Sequence, residues 1–490
     1  MASSGGPVSD GGTVVAPHPD GAEGTLLEER LAAVMGLGRA LAVTGRLQES
    51  RRLRAEAVDA AEALGDPLLT ATVIGSFDVP ANWTTNDDPA LSERLVAAAE
   101  RTLAALPDDT TPASLGRYAA ERARLLITIA MERRADPARR ADQAAREAES
   151  IARRLGDRTL LAYALNGRAL QTFHRAGLAP ERAAIGEELL TLAAAAPANA
   201  TAPANATAPA TRGGAGVAEC AGAGVGEGMV TFAVLGHLIL LQARAGMADL
   251  AAADRHAAAA DRLAEQYDLP LVGVFTTWYA ALRLAITSGD RDAARAAYRA
   301  AAGRLDGTSM PGVEQGLLPL ALLTLDVIDA GSVKPGQAPP IPARPGPAQG
   351  GLEWGPYEEW VRPLVLLAEG RSEQAREAVR AVPESPRDLL YELRTCLHAT
   401  AALATGVTDH LQDLYDRLLP ARDELAGAGS GLVTLGPVAL YLGHLAAALD
   451  RPDLAEEHVR QAAAVAARAK SPHWAATAKS ASIGKDAPTA

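Results

Sequence analysis

The chain has very few lysines, aromatics and cysteines. Among its 47 basic residues only four are lysine, Lys334, Lys470, Lys479 and Lys485, an arginine bias of the kind a GC-rich genome produces. Basic residues are outnumbered by 59 acidic ones, giving a net charge of -12. This is the opposite of what neutralising a phosphate backbone requires, so direct nucleic-acid binding is not expected. Cys220 and Cys396 are far apart and neither has a C-x-x-C neighbour, which argues against a disulfide framework or a zinc site and fits a reducing, cytoplasmic setting. The first residues, MASSGGPVSDGGTVVAPHPDGAEG, lack the basic start and apolar core of a secretion signal and read as a disordered tail, 1–24. The longest uncharged run, Ala426 to Leu449, is interrupted by five glycines, Pro437 and His444 and reads as a loop feeding a buried helix, not a membrane span.

Motifs for phosphate or acyl chemistry are also missing. Gly484-Lys485 is followed by Asp486, so no G-x-x-x-x-G-K-[ST] loop occurs, and neither G-x-S-x-G nor H-E-x-x-H is present. Cys396 and His398 lie two apart on an expected helix and so point to different faces, which excludes them as a metal pair. No catalytic residue, cofactor or metal is expected.

What the chain does have is alanine and length. Hydrophobic residues make up 48% while aromatics make up 4%, so alanine, the best helix former, supplies much of the apolar count. At 490 residues the chain is longer than one core supports. The stretch TSGDRDAARAAYRAA suggests how it is divided. Counting from Gly289, small or packing residues fall at five, nine and twelve: Ala294, Tyr298, Ala301. The same count gives Ser50, Arg54 and Ala57 from Gly45; Ala251, Arg255 and Ala258 from Gly246; Ala375, Val379 and Val382 from Gly370; and Ala455, Val459 and Ala462 from Asp450. Leu37-Gly38, Leu442-Gly443, and Ala281-Leu282 with Trp278 precede three of the turns by seven or eight residues.

This pattern resembles the tetratricopeptide repeat, in which small residues mark where two antiparallel helices nearly touch and a larger one fills the gap to the next pair. Gly246 and Gly289 stand 43 positions apart, Gly370 a further 81 and Asp450 a further 80, longer than one or two of the usual periods of about 34. The expected fold is all-α, a tetratricopeptide-like helical-repeat solenoid of roughly nine to eleven helix pairs. Its expected blocks are 25–196, 229–330 and 356–482. They are separated by an Ala/Pro/Gly-rich disordered loop, 197–228, and a Pro/Gly-rich linker, 331–355, with a disordered tail at 483–490.

A second likeness lies in LGDPLLTATVIGSFDVPANWTTNDDPALSERLVAAAERTLAALP, through Phe77, Val79, Pro80, Trp83, Thr84, Leu95-Val96 and Leu106-Pro107. It extends to the C-terminal stretch through Gly436-Pro437, Leu442-Gly443, Leu445-Ala446 and Ala455-Glu456. Both resemble the C-terminal repeat region of large actinobacterial regulators of the Streptomyces antibiotic regulatory protein family (SARP, with a bacterial transcriptional activation domain). Similar tails close other large signalling ATPases. The resemblance implies a protein-interaction or sensory module of transcriptional regulation. The winged-helix and ATPase segments that accompany such repeats have no counterpart in this sequence. The reading left open is a fragment of a DNA-binding activator or of a signalling ATPase.

Aromatics are rare enough for their clusters to stand out. Phe275, Trp278 and Tyr279 share one helix face. Trp278 falls on the repeat's scaffold position, which leaves Phe275 and Tyr279 as candidates for a partner groove. Trp354, Tyr357 and Trp360 form the second cluster, and aromatic anchors of this kind dominate interface hot spots. The expected partner is a protein or peptide lying in the solenoid groove. Trp83, after a helix-breaking Pro80, is expected to plug a junction between repeats.

Overall fold

The computed structural model describes residues 21–86, 88–107, 118–134, 139–194, 227–305, 308, 310–329 and 354–483. Of the expected tail 1–24, loop 197–228, linker 331–355 and tail 483–490, residues 1–20, 197–226, 331–353 and 484–490 lie outside the described residues, as does Cys220.

The described chain is all-α. Its helices in order are α1 Gly21–Val43, α2 Leu47–Ala63, α3 Pro67–Gly75, α4 Pro89–Ala105, α5 Ala119–Glu132, α6 Arg139–Leu155, α7 Arg158–Leu170 and α8 Ala179–Ala194. There follow α9 Glu227–Gly246, α10 Leu250–Tyr267, α11 Val272–Thr287, α12 Arg291–Ala302, α13 Pro311–Glu314 and α14 Leu317–Asp329. The last set is α15 Glu358–Ala368, α16 Ser372–Arg380, α17 Tyr391–Thr405, α18 Leu411–Leu418, α19 Val438–Ala448, α20 Pro452–Arg468 and α21 Pro472–Ile483. Successive helices pack as antiparallel pairs, consistent with a helical repeat. Helical residues extend at α1 and α9 into the ends of the segments expected as tail and loop.

All five counted turns join two helices of a pair, and in four of them the count also marks the buried face. Ala294, Tyr298 and Ala301 are each 0% exposed. Ser50, Arg54 and Ala57 are buried, as are Ala375, Val379, Val459 and Ala462. The copy after Gly246 is out of step by two: Ala251, Arg255 and Ala258 are exposed, while Ala253, Ala257 and Ala260 are buried. The left-handed turn residue here is Ala248, with φ 62°, and counting from it gives the buried alanines. Gly246 serves a different contact, since a Cβ there would stand 3.3 Å from the Cα of Gly429.

Capping follows local chemistry. Asp88 accepts from the Leu91 amide with Pro89 in the first turn of α4, and Asp66, Asp157, Asp249 and Asp290 cap α3, α7, α10 and α12 in the same way. The close crossing of α8 and α9 needs two glycines. A Cβ on Gly186 of α8 would lie 2.7 Å from Leu240, and one on Gly236 of α9 would lie 3.2 Å from the Gly186 carbonyl.

In an ideal open solenoid each repeat touches only its neighbours. Here the array folds back. The Gly45 turn between α1 and α2 meets Pro270 and Leu271, the Leu389 amide donates to Thr84 Oγ1, the Leu425 amide donates to the Gly246 carbonyl, and Arg468 donates to the Met247 carbonyl. The first block is thereby seated against the later ones. Segment Met229–Gly246 is long and apolar enough to cross a membrane, but 72% of it is buried inside the fold. Among the described residues the one β-type pairing is an isolated bridge, Leu425 with Pro437. As the sequence suggested, that region is a loop leading into buried α19.

A candidate ligand cavity at the seam

Helix α3 stops at Gly75 and α4 begins at Pro89, and the described residues between them, 76–86 and 88, have no regular structure. A loop of that length leaves many main-chain groups without helical partners, and side chains of the neighbouring helices take them up. Asn166 of α7 binds both sides of Ala81: its Oδ1 accepts the Ala81 amide at 2.9 Å and its Nδ2 donates to the Ala81 carbonyl at 2.7 Å. The Tyr163 hydroxyl donates to the Phe77 carbonyl at 2.7 Å. Burial pushes that phenol above its ordinary range, so it stays a donor. Asn86 Nδ2 donates to the Glu132 carbonyl, and Arg134 Nε donates to that of Thr85. Arg39 of α1 pairs with Asp78 at 2.7 Å. Burial raises the Asp78 carboxyl and Arg39 opposes the rise.

Beneath this loop an ion pair joins α2 to α5. Arg54 Nη1 lies 2.5 Å from Glu132 Oε1, their side chains only 9% and 11% exposed. Burial works against the Glu132 charge, but Arg54, Arg134 and the Ser92 hydroxyl outweigh it and hold the carboxyl below its usual range. Ser92 has one proton and two acceptors in reach, Glu132 Oε2 at 2.6 Å and Asn86 Oδ1 at 3.1 Å. The shorter, charge-assisted bond takes it. The Arg54 guanidinium also stacks over the Phe77 ring, 4.4 Å from its centroid.

Together these elements enclose a cavity of about 270 Å³. Its floor and one wall come from the first block, through Leu47, Phe77, Leu91, Leu95 and Met131. The opposite wall comes from α9 and α11, through Val234, Leu235, Leu238, Val272 and Phe275, with Met310 beyond. Arg51, Arg54, Arg134, Asn82, Asn86 and Glu132 supply the polar patches. The cavity exists because the array folds back: α2 and α11 could not share a wall in a linear ladder.

The five aromatics singled out from the sequence do not line one groove. Phe275 lines the cavity and is 8% exposed. Tyr279, one turn on, faces elsewhere: its hydroxyl donates to Asp254 Oδ1 at 2.7 Å, beside the Arg283–Asp254 ion pair. Tyr357 and Trp360 are buried in the core between the middle and last blocks, with Arg394 stacked over the Trp360 indole at 5.2 Å. Trp354 packs, half-buried, against the same core. Trp278 is fully buried on Tyr298, ring centroids 5.6 Å apart, as a scaffold position should be. Trp83 does sit at a junction. It belongs to the core of the middle and last blocks, whereas Phe77 and Ala81 of the same loop pack on the core of the first.

Ser50, Arg54, Phe77, Val79, Pro80, Trp83 and Leu95, which stand out in the sequence through the repeat count and the second likeness, also line the cavity. No family model matches this chain, and no curated protein matches it. Among solved structures it is similar to one described as a "Circular tandem repeat protein with novel repeat topology and enhanced subunit contact surfaces", with 13% identity over 93% of this chain and 94% of that one. The TM-score is 0.14, too low for that likeness to carry any argument, so the all-helical repeat architecture rests on the helix packing above.

Proposed function

We propose that the chain is a non-enzymatic, cytoplasmic module of tetratricopeptide type that holds a small molecule in the seam cavity and relays its presence to a protein partner in transcriptional regulation. The regulatory setting comes from the resemblance to the repeat region of SARP-type regulators. The module needs no cofactor and contacts neither nucleic acid nor membrane itself.

One observation carries this reading: a largely apolar cavity whose walls are drawn from Ser50 at one end and Phe275 at the other. A molecule bound there contacts both the first and the middle block, so it stabilises the folded-back arrangement by an amount set by its concentration relative to Kd. That is about 2.7 kcal/mol at a hundredfold excess over Kd. Phe275 is then an anchor for the small molecule, and the protein partner reads the arrangement of the blocks.

Thermal unfolding of the purified chain against a collection of small apolar molecules tests the reading. Hits should raise the midpoint of the wild type and have no effect on Leu238→Trp, which fills the cavity from α9. A collection with no hits, or hits that act equally on Leu238→Trp, would remove the basis for the proposal.

A further inference from the structure

We infer that the cavity selects an apolar molecule whose polar end carries only hydrogen-bond acceptors, such as a ketone, ester or carboxylate. This rests on the ligand-binding reading above and adds the chemistry of recognition. Three cavity-lining side chains hold buried polar atoms without a hydrogen-bond partner: Arg54 Nε, Asn82 Nδ2 and Trp83 Nε1. All three are donors. Arg54 and Trp83 are each only 7% exposed, so their unmet groups carry the desolvation cost of a buried donor. Among the described cavity residues no acceptor is left in the same condition. The carboxylates are engaged, Glu132 by Arg54 and Ser92 and Asp88 by the Leu91 amide, and the Asn86 carbonyl oxygen accepts the Asp88 amide.

Size and charge narrow the class. About 270 Å³ exceeds the engineered apolar cavity of about 150 Å³ that takes up benzene. One ring with a short side chain therefore fits. The lining places Arg51, Arg54 and Arg134 beside Asp88 and Glu132. The wall thus tolerates a carboxylate and disfavours an ammonium, which would bring a charge and three more donors to a surface already short of acceptors.

A matched series sharing one skeleton provides the test: 4-phenyl-2-butanone, 4-phenylbutanoate and 4-phenylbutylamine, each titrated calorimetrically into the full chain. The ketone and the carboxylate should bind at least tenfold more tightly than the amine, a gap of about 1.4 kcal/mol. Asn82→Asp, which replaces a donor with an acceptor at nearly constant shape, should weaken ketone and carboxylate binding several-fold and narrow the gap to the amine. Trp83→Phe, which keeps a ring and removes its donor, should weaken the same two ligands. An amine that binds as tightly as the ketone, or an Asn82→Asp protein that binds all three like the wild type, overturns the donor-wall assignment and leaves the cavity reading standing. Failure of all three to bind the wild type at millimolar concentration overturns both.

Discussion

Among the described residues, two of the long excursions from α-helical structure are built in opposite ways. The first, Ser76 to Asp88, is mostly half-buried, with Trp83 and Thr84 its buried members. It contains no glycine, and it is held by side chains reaching in from α1 and α7 and by Arg134 just past α5. The second, Arg422 to Pro437, is buried from Glu424 onward apart from half-buried Gly429. It is held chiefly by its own main chain: the Ala426 amide donates to the Gly436 carbonyl, the Leu435 amide donates back to the Ala426 carbonyl across a tight reversal, and Val438 donates to the Glu424 carbonyl. Gly427, Gly431 and Gly436 make the reversal possible with φ of 83°, 74° and 85°. A loop that satisfies itself can be packed solid, whereas one held at arm's length by helix side chains leaves space beneath it. The cavity lies under the second kind.

The sharpest way to break this comparison is to add one carbon to each excursion. At Gly427 an alanine Cβ would meet Leu393 Cδ1 at 2.6 Å and its Cβ at 2.9 Å, in a left-handed backbone that disfavours any side chain. Strain of about 1 to 2 kcal/mol and overpacking of about 1 to 3 kcal/mol predict a loss near 2 to 5 kcal/mol for Gly427→Ala, measured by denaturant unfolding. Adding a carbon at Ala81 or Asn82 of the first excursion should cost far less. Equal losses would show that the first loop is packed as solidly as the second.

Removing an external clamp should hurt only the first excursion. Asn166→Ala leaves the amide and carbonyl of Ala81 without their partner at once, and an orphaned buried group costs about 1 to 3 kcal/mol. Because Ala81 is half-buried, water recovers part of this, and a net loss of about 1 to 3 kcal/mol is expected. Proteolysis within 76–88 should accelerate in the variant while the 422–437 segment keeps its protection.

The second excursion should answer to pH instead. Burial pushes the Glu424 carboxyl up to about 7, with Arg182 opposing and nearby Glu392 and Asp423 reinforcing the rise. Glu392 is itself raised, first by burial. Folded Glu424 thus keeps its proton to about pH 7, while the unfolded chain loses it near pH 4.5. Its contribution is complete below the unfolded value and is lost as pH rises through 7. The wild type should therefore lose on the order of 2 kcal/mol relative to Glu424→Gln between pH 5 and 8. A constant difference between the two proteins across that range would place Glu424 in contact with solvent.

These contrasts also explain what could be read from the sequence. Turns at Gly45, Gly289, Gly370 and Asp450 were legible because each sits at a helix junction with small residues at fixed distances after it. The Gly246 copy misled because a glycine stands two residues before the turn while an alanine, Ala248, takes the left-handed conformation. Trp278 was legible as scaffold because its position in the pair determines its surroundings. The cavity was not, since its walls join residues some 200 positions apart and its loop is clamped by Asn166, 85 residues from Ala81. Local periodicity cannot report contacts made when an array folds back. Tyr357 and Trp360 show the same limit, because an aromatic cluster looks alike in sequence whether it faces a groove or fills the core between blocks.

The smallest expected effect separates holding the loop from reading a ligand. Asn82 belongs to the first excursion and is half-buried, and its Nδ2 has no partner. Its removal therefore breaks no bond that this atom makes within the chain, and Asn82→Ala should change stability by less than about 0.5 kcal/mol, the range of ordinary surface substitutions. In the same variant, binding of an acceptor-bearing cavity ligand should fall several-fold, since the donor it would satisfy is gone. Asn166→Ala should show the reverse emphasis, a large loss of stability from which weaker binding follows. If Asn82→Ala unfolds as readily as Asn166→Ala, the amide at 82 is holding the loop together, and the division between external clamps and a ligand-facing wall has been drawn in the wrong place.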